Sequence, residues 1–84
     1  MVIENNRFSP DEIRVKAGAP SMLIITNKDK AEQEFECEAL KIERAIPPGK
    51  TARVRFQGLR AGIYDFIGEN SGNTSDGKGR IIVE

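Results

Sequence analysis

The sequence predicts an all-β domain, a Greek-key β-sandwich of seven or eight short strands spanning residues 1–84. Three observations predict it. Apolar and charged residues alternate with period 2, most cleanly from Thr51 to Gln57, as they do on a strand with one buried face. Short apolar segments are separated by turn residues at Ala17-Gly18-Ala19-Pro20, Thr26-Asn27-Lys28-Asp29 and Pro47-Pro48-Gly49. Leu59, Gly62 and Tyr64 have the spacing of a tyrosine corner, in which a buried tyrosine hydroxyl bonds back to upstream backbone at a Greek-key crossing.

Taken in order, Ser9-Pro10-Asp11 reads as a turn that feeds a strand, because Ile13 and Val15 alternate with Arg14 and Lys16 and no 3.6-residue period follows. Met22-Leu23-Ile24-Ile25 is a continuous apolar run too short for a helix, which predicts a central strand covered on both faces. Phe35 and Cys37 alternate with Glu34, Glu36 and Glu38, predicting a strand. A single turn near Glu38 to Leu40 and a second strand through Ile42 and Ile46 follow. Ala52, Val54 and Phe56 face inward on the next strand, and Tyr64 to Ile67 forms another. Glu69 to Gly79 holds no apolar side chain and predicts a solvated loop, with a last strand from Arg80 to Val83.

Composition closes off several functions. The 84 residues include no histidine, so Ser-His-Asp and Cys-His catalysis are impossible within this chain and the commonest transition-metal ligand is missing. Thirteen basic residues balance thirteen acidic ones, leaving no positive surplus for phosphate recognition, so no nucleic-acid partner is expected. No apolar run approaches the roughly 20 residues of a membrane span, so no membrane insertion is expected. The N-terminal Met-Val-Ile-Glu-Asn-Asn has neither a basic nor an apolar leader region and reads as lacking a signal peptide. It fits either a cytosolic chain or a mature segment given a new start methionine. Cys37 has no partner for an internal disulfide and reads as a small buried hydrophobe.

The ordered motifs Phe8-Ser9-Pro10-Asp11-Glu12-Ile13-Arg14-Val15-Lys16-Ala17-Gly18, Thr26-Asn27-Lys28-Asp29, Glu34-Phe35-Glu36, Pro47-Pro48-Gly49-Lys50-Thr51, Gly62-Ile63-Tyr64-Asp65-Phe66 and Gly79-Arg80-Ile81 resemble the cupredoxin-like domains of bacteria. The likeness covers nearly the whole chain. It implies a type 1 copper held by two His, one Cys and usually a Met. The resemblance would place the first His at Gln33, the Cys near Gly68, the second His at Asn70 or Ser71, and the Met near Gly77. Carboxamide, glycine and serine cannot supply the thiolate and imidazoles of such a centre, so no type 1 copper is expected.

What remains is acidic. Glu32, Glu34, Glu36 and Glu38 recur at period 2, and Glu69 falls in a loop that the resemblance brings to the same end. Glu34, Glu36 and Glu69 are therefore the candidate metal ligands, of a type suited to hard cations. The plainer reading is a charged strand edge that discourages pairing between molecules. Arg53 and Arg55, with Lys50 and Lys41, read as a solubilising basic strip on one sheet face.

The expectation is a non-enzymatic cupredoxin-like domain, periplasmic or otherwise extracytoplasmic in its native setting. It would act as a metal-handling accessory or a binding module of the cell envelope, as a monomer, with a metal ion or an envelope protein as partner. No resident cofactor is expected, other than copper or iron held weakly. Two alternatives stand beside it: a domain binding iron or copper weakly through carboxylates and linked to iron uptake, and a purely structural or engineered sandwich scaffold.

Overall fold

In the computed structural model, which describes residues 1–70 and 73–84, two sheets face each other across one apolar core. The first has the order β2-β1-β4-β7, with β1 at Val2–Glu4, β2 at Arg7–Ser9, β4 at Ser21–Asn27 and β7 at Thr51–Phe56. The second has the order β3-β9-β8-β5-β6: β3 is Glu12–Val15, β5 Gln33–Cys37, β6 Ile42–Ile46, β8 Gly62–Asn70 and β9 Asn73–Val83. Among the described residues nine strands therefore form the sandwich, and one 3₁₀ turn, Glu38–Leu40, joins β5 to β6. No helix among them is long and apolar enough to cross a membrane.

The period-2 pattern decides which side chains meet. Ala52, Val54 and Phe56 of β7 turn inward against Leu23 and Ile25 of β4, and Phe35 and Cys37 of β5 are fully buried beneath them with Phe66 and Ile81. Three aromatic rings lie at the centre: Phe8 meets Phe66 edge-on at 5.1 Å and Phe35 at 5.9 Å, while Phe35 and Phe66 are 5.0 Å apart. These are the offset geometries that ring quadrupoles favour. Tyr64 closes the crossing from β7 in one sheet to β8 in the other, its hydroxyl donating to the Arg60 carbonyl at 2.8 Å. The ring is half-buried, less enclosed than the spacing predicts.

Three expectations change. β4 is an inner strand of its sheet, yet only one face of it is covered: Met22 and Ile24 are 44% and 47% exposed, because no further layer lies on the outside of that sheet. The polar segment 69–79 is no free loop. Outside Ser71 and Gly72, which lie beyond the described residues, it extends β8 and β9 as one antiparallel ladder in which Glu69 faces Thr74 and Ile67 faces Lys78. Close approach fixes its glycines: a Cβ on Gly79 would collide with the Asp11 carbonyl, and one on Gly77 would stand 2.9 Å from the Phe8 ring. Finally, β1 and β2 form an N-terminal hairpin absent from the sequence-based expectation. Its turn residues Asn5 and Asn6, at φ 55° and 61°, provide the left-handed pair of a two-residue hairpin.

Candidate functional site

Gln33 opens β5 at the end of the sandwich where the β1–β2 turn and the β4–β5 connection meet. Asn27 shapes that connection. Fully buried, it donates to the carbonyls of Ala31 and Ile46 at 2.9 and 2.8 Å and accepts from the backbone N–H of Asp29 at 2.9 Å. Asp29 is thereby held facing the turn, where Oδ1 accepts from Asn5 N–H at 2.7 Å and Oδ2 from Asn6 N–H at 3.0 Å. Gln33, 1% exposed, completes the cluster: its Nε2 donates to Asn6 Oδ1 at 2.7 Å and to Asp29 Oδ2 at 2.9 Å. Asn70 joins from β8, Nδ2 donating to the same Asn6 Oδ1 at 3.3 Å.

The charge on Asp29 follows from these contacts. Partial burial works against the carboxylate, but hydrogen bonds from Asn6, Asn5 and Gln33 outweigh it and hold the carboxyl below its ordinary range. An acceptor-only group at this point also sets the Gln33 amide with nitrogen toward it. Gln33 Oε1 is left buried without a hydrogen-bond partner among the described residues.

Two of the positions that the resemblance gives to imidazoles, Gln33 and Asn70, are thus brought together through Asn6. Ser71, the alternative for the second, lies outside the described residues. The remaining positions offer no ligand. Gly68 is buried opposite Phe35, and Gly77 is packed under Phe8 and the Asn6 carbonyl, so a side chain there would require both to move. A type 1 copper does not fit: the donor set is carboxamide and carboxylate, and the Gln33 nitrogen already spends its hydrogens on Asn6 and Asp29.

Cys37 is no substitute. It points into the core beside Phe35, fully buried, and burial raises its thiol above the ordinary value. Such a thiol is a poor ligand and a poor nucleophile.

The candidate carboxylates occupy the outer face of the second sheet. Glu34 stands directly opposite Glu69 across the β5–β8 ladder, and Glu36 opposite Glu43 across β5–β6. Glu32 precedes β5 and Glu38 belongs to the 3₁₀ turn, so neither continues the row. The Glu34 carboxyl is raised, first by partial burial and then by the Glu43 carboxyl against it and the charges of Glu43, Glu69 and Glu32. Glu36 is raised by its contact with the Glu69 carboxyl, then by burial and the charges of Glu69, Glu43 and Glu34. Among the described residues no three His, Cys, Asp or Glu are placed to hold one metal ion. Glu43 lies outside the period-2 row; only the register of the β5–β6 hairpin, joined through the 3₁₀ turn and Lys41, brings it in. The predicted basic strip also narrows. Arg53 and Arg55 share the outer face of β7, whereas Lys41 sits at φ 56° after the 3₁₀ turn of the other sheet.

Residues 1–83 match the cupredoxin-like domain family. The chain belongs to that family. A protein of Rickettsia prowazekii (strain Madrid E) is 27% identical over 77 residues, covering 92% of this cupredoxin-like domain, which spans 62% of that relative's length. Among solved structures, the metal-binding domain of the Cu(I)-exporting P-type ATPase CopA of Streptococcus pneumoniae, determined with Cu(I), aligns at TM-score 0.78 and 19% identity, over 99% of this chain and 80% of that one. A reduced amicyanin variant aligns at TM-score 0.71 and 16% identity, over 99% and 78%. At these identities the likeness is one of fold.

Proposed function

We infer that this cupredoxin-like domain is a non-enzymatic binding module of the cell envelope that works without a type 1 copper centre. The observation behind this reading is Gln33. At the position where the resemblance would place a copper-binding imidazole, its buried amide is bonded to Asn6 and Asp29, a neutral and an anionic oxygen. Mixing the purified protein with Cu²⁺ tests it. The mixture stays free of intense blue absorption; a blue product overturns the reading.

The second reading is metal handling by carboxylates, favoured by the crowding that raises Glu34 and Glu36 beside Glu69. Carboxylate oxygens suit hard cations, Fe³⁺ among them. Calorimetry with Fe³⁺ and Cu²⁺ on the wild type and on Glu34→Gln/Glu69→Gln decides it: heat in the first and none in the second supports the reading, and equal or no heat in both removes it.

A further inference from the structure

Formal charge sums to zero over the chain, yet the two sheets do not share it evenly. On the outside of the first sheet Arg53 and Arg55 stand opposite Ile24 and Met22 in the β4–β7 ladder, a pair of guanidinium groups beside a pair of exposed apolar side chains. Among the described residues the ion pairs are those of Arg14 with Glu12 and Glu84, so Arg53 and Arg55 have no carboxylate of their own. On the outside of the second sheet Glu34 and Glu36 crowd against Glu43 and Glu69, with Ile67 opposite Glu36 and Ile63, 62% exposed, further along β8.

The two faces complement each other in spacing as well as sign. Arg53 and Arg55 are two residues apart on one strand, as are Glu34 and Glu36 on another, so both pairs repeat at about 6.6 Å. A guanidinium is the donor that meets a carboxylate with two parallel hydrogen bonds. Each charged pair has apolar side chains in the neighbouring strand, which contact would remove from water.

We propose that the domain binds a second copy of itself, the Arg53–Arg55 and Met22–Ile24 face of one copy seated on the Glu34–Glu36 and Ile67 face of the next. Lys78 and Arg80 of β9 also lie on the outside of the second sheet, opposite Ile67 and Asp65, but among the described residues neither forms an ion pair with the glutamates. The occupant follows from the chain itself: the carboxylates that Arg53 and Arg55 lack and the cations that Glu34 and Glu36 lack are both present on the same molecule. Docking also relieves the repulsion among the four glutamates. Because the two faces lie on opposite sheets, the contact is head-to-tail and leaves a free face at each end, so assembly grows past a dimer. This goes beyond the binding-module reading and departs from the monomer expected from sequence alone.

Sedimentation of the wild type in low-salt buffer, over a wide concentration series, gives a mean mass that climbs past twice the monomer and returns to the monomer at high salt. Arg53→Gln/Arg55→Gln and Glu34→Gln/Glu36→Gln each associate at least about tenfold more weakly. Mixed in equal amounts, the two variants form a one-to-one pair and stop there, since each brings a single intact face. Circular dichroism confirms that both are folded, and Ile24→Ser provides an independent weakening of the same contact. A wild type that stays monomeric at every concentration overturns the proposal. So do variants that associate like the wild type, or a mixture that forms no pair.

Discussion

Gln33 Nε2 lies 2.9 Å from Asp29 Oδ2 while the same nitrogen donates to Asn6 Oδ1 at 2.7 Å, tying the start of β5 to the β4–β5 connection and to the β1–β2 turn. One buried amide thus ties two adjoining segments to a turn 27 residues away in sequence.

Removing that amide separates its structural contribution from any ligand role. In Gln33→Leu the side chain still fills its space, but Asp29 loses a donor, and a cost of about 1–3 kcal/mol follows. For a domain of this size the unfolding temperature falls by roughly 4–8 °C per kcal/mol. Gln33→Glu is worse at neutral pH, because it buries a second carboxylate against Asp29. It recovers toward the wild type in acid, where the new carboxyl is protonated and can donate. Thermal unfolding of both variants at two pH values checks the pattern.

Acid acts on the two carboxylate groups of this molecule in opposite directions. Asp29 is held below its ordinary value, so its contribution is present above the unfolded-state value and is lost as pH falls through the lower, folded-state one. Glu34 and Glu36 are raised; what they add is present below the unfolded-state value and disappears as pH rises through their raised values. Glu34→Gln/Glu36→Gln therefore stabilises at pH 7, and the gain vanishes in acid. Asp29→Asn destabilises at pH 7 and converges on the wild type at low pH. Urea unfolding midpoints across the pH range read both.

Gly79 tests the extended β8–β9 ladder. A Cβ there meets the Asp11 carbonyl, which is itself bonded to Arg80 N–H at 2.9 Å, and stands 2.5 Å from the Phe66 ring. Backbone cannot step aside cheaply. Gly79→Ala costs about 1–3 kcal/mol, the range for overpacked interiors. A stability equal to the wild type in urea would contradict the ladder.

How far these features could be read beforehand depends on where their causes lie. β3 and β7 announce themselves because alternation is written into Ile13/Val15 and Ala52/Val54/Phe56. The 3₁₀ turn at Glu38–Leu40 falls where alternation on either side breaks. Residues 73–79 gave no such signal: Asn, Ser, Asp, Lys and Gly have weak strand preference, and they extend because β8 lies alongside and Phe8 and Asp11 press close to Gly77 and Gly79. At the candidate site the resemblance, set against the absence of histidine, points to Gln33 and to Asn70 or Ser71. Asn6 could not be foreseen, since it arrives through a hairpin whose strands are only three residues long, and Asp29 is turned toward that hairpin by the buried Asn27 in the β4–β5 connection.

Cys37 gives a kinetic readout of the core. With no exposed surface and its thiol raised by burial, it reacts with a disulfide reagent only when the domain opens. Labelling of the native protein is therefore slow and accelerates with urea in step with unfolding monitored by circular dichroism. Rapid stoichiometric labelling without denaturant would place the thiol at the surface and contradict the packing of β5 against the aromatic centre.

Tyr64 bears on the crossing between the sheets. Its hydroxyl donates to the Arg60 carbonyl at 2.8 Å, four residues upstream, where the chain passes from β7 to β8. Tyr64→Phe keeps the ring against the core and deletes that bond, costing about 0.5–1.5 kcal/mol. Because the bond is solvent-exposed, water can replace the hydroxyl at the carbonyl, and the loss lies toward the lower end of that range. Tyr64→Ala removes the half-buried ring as well and costs more. Chemical denaturation of the two variants separates the parts: a Tyr64→Phe variant as stable as the wild type would show that the hydroxyl contributes nothing beyond the ring, and the crossing would then be held by packing alone.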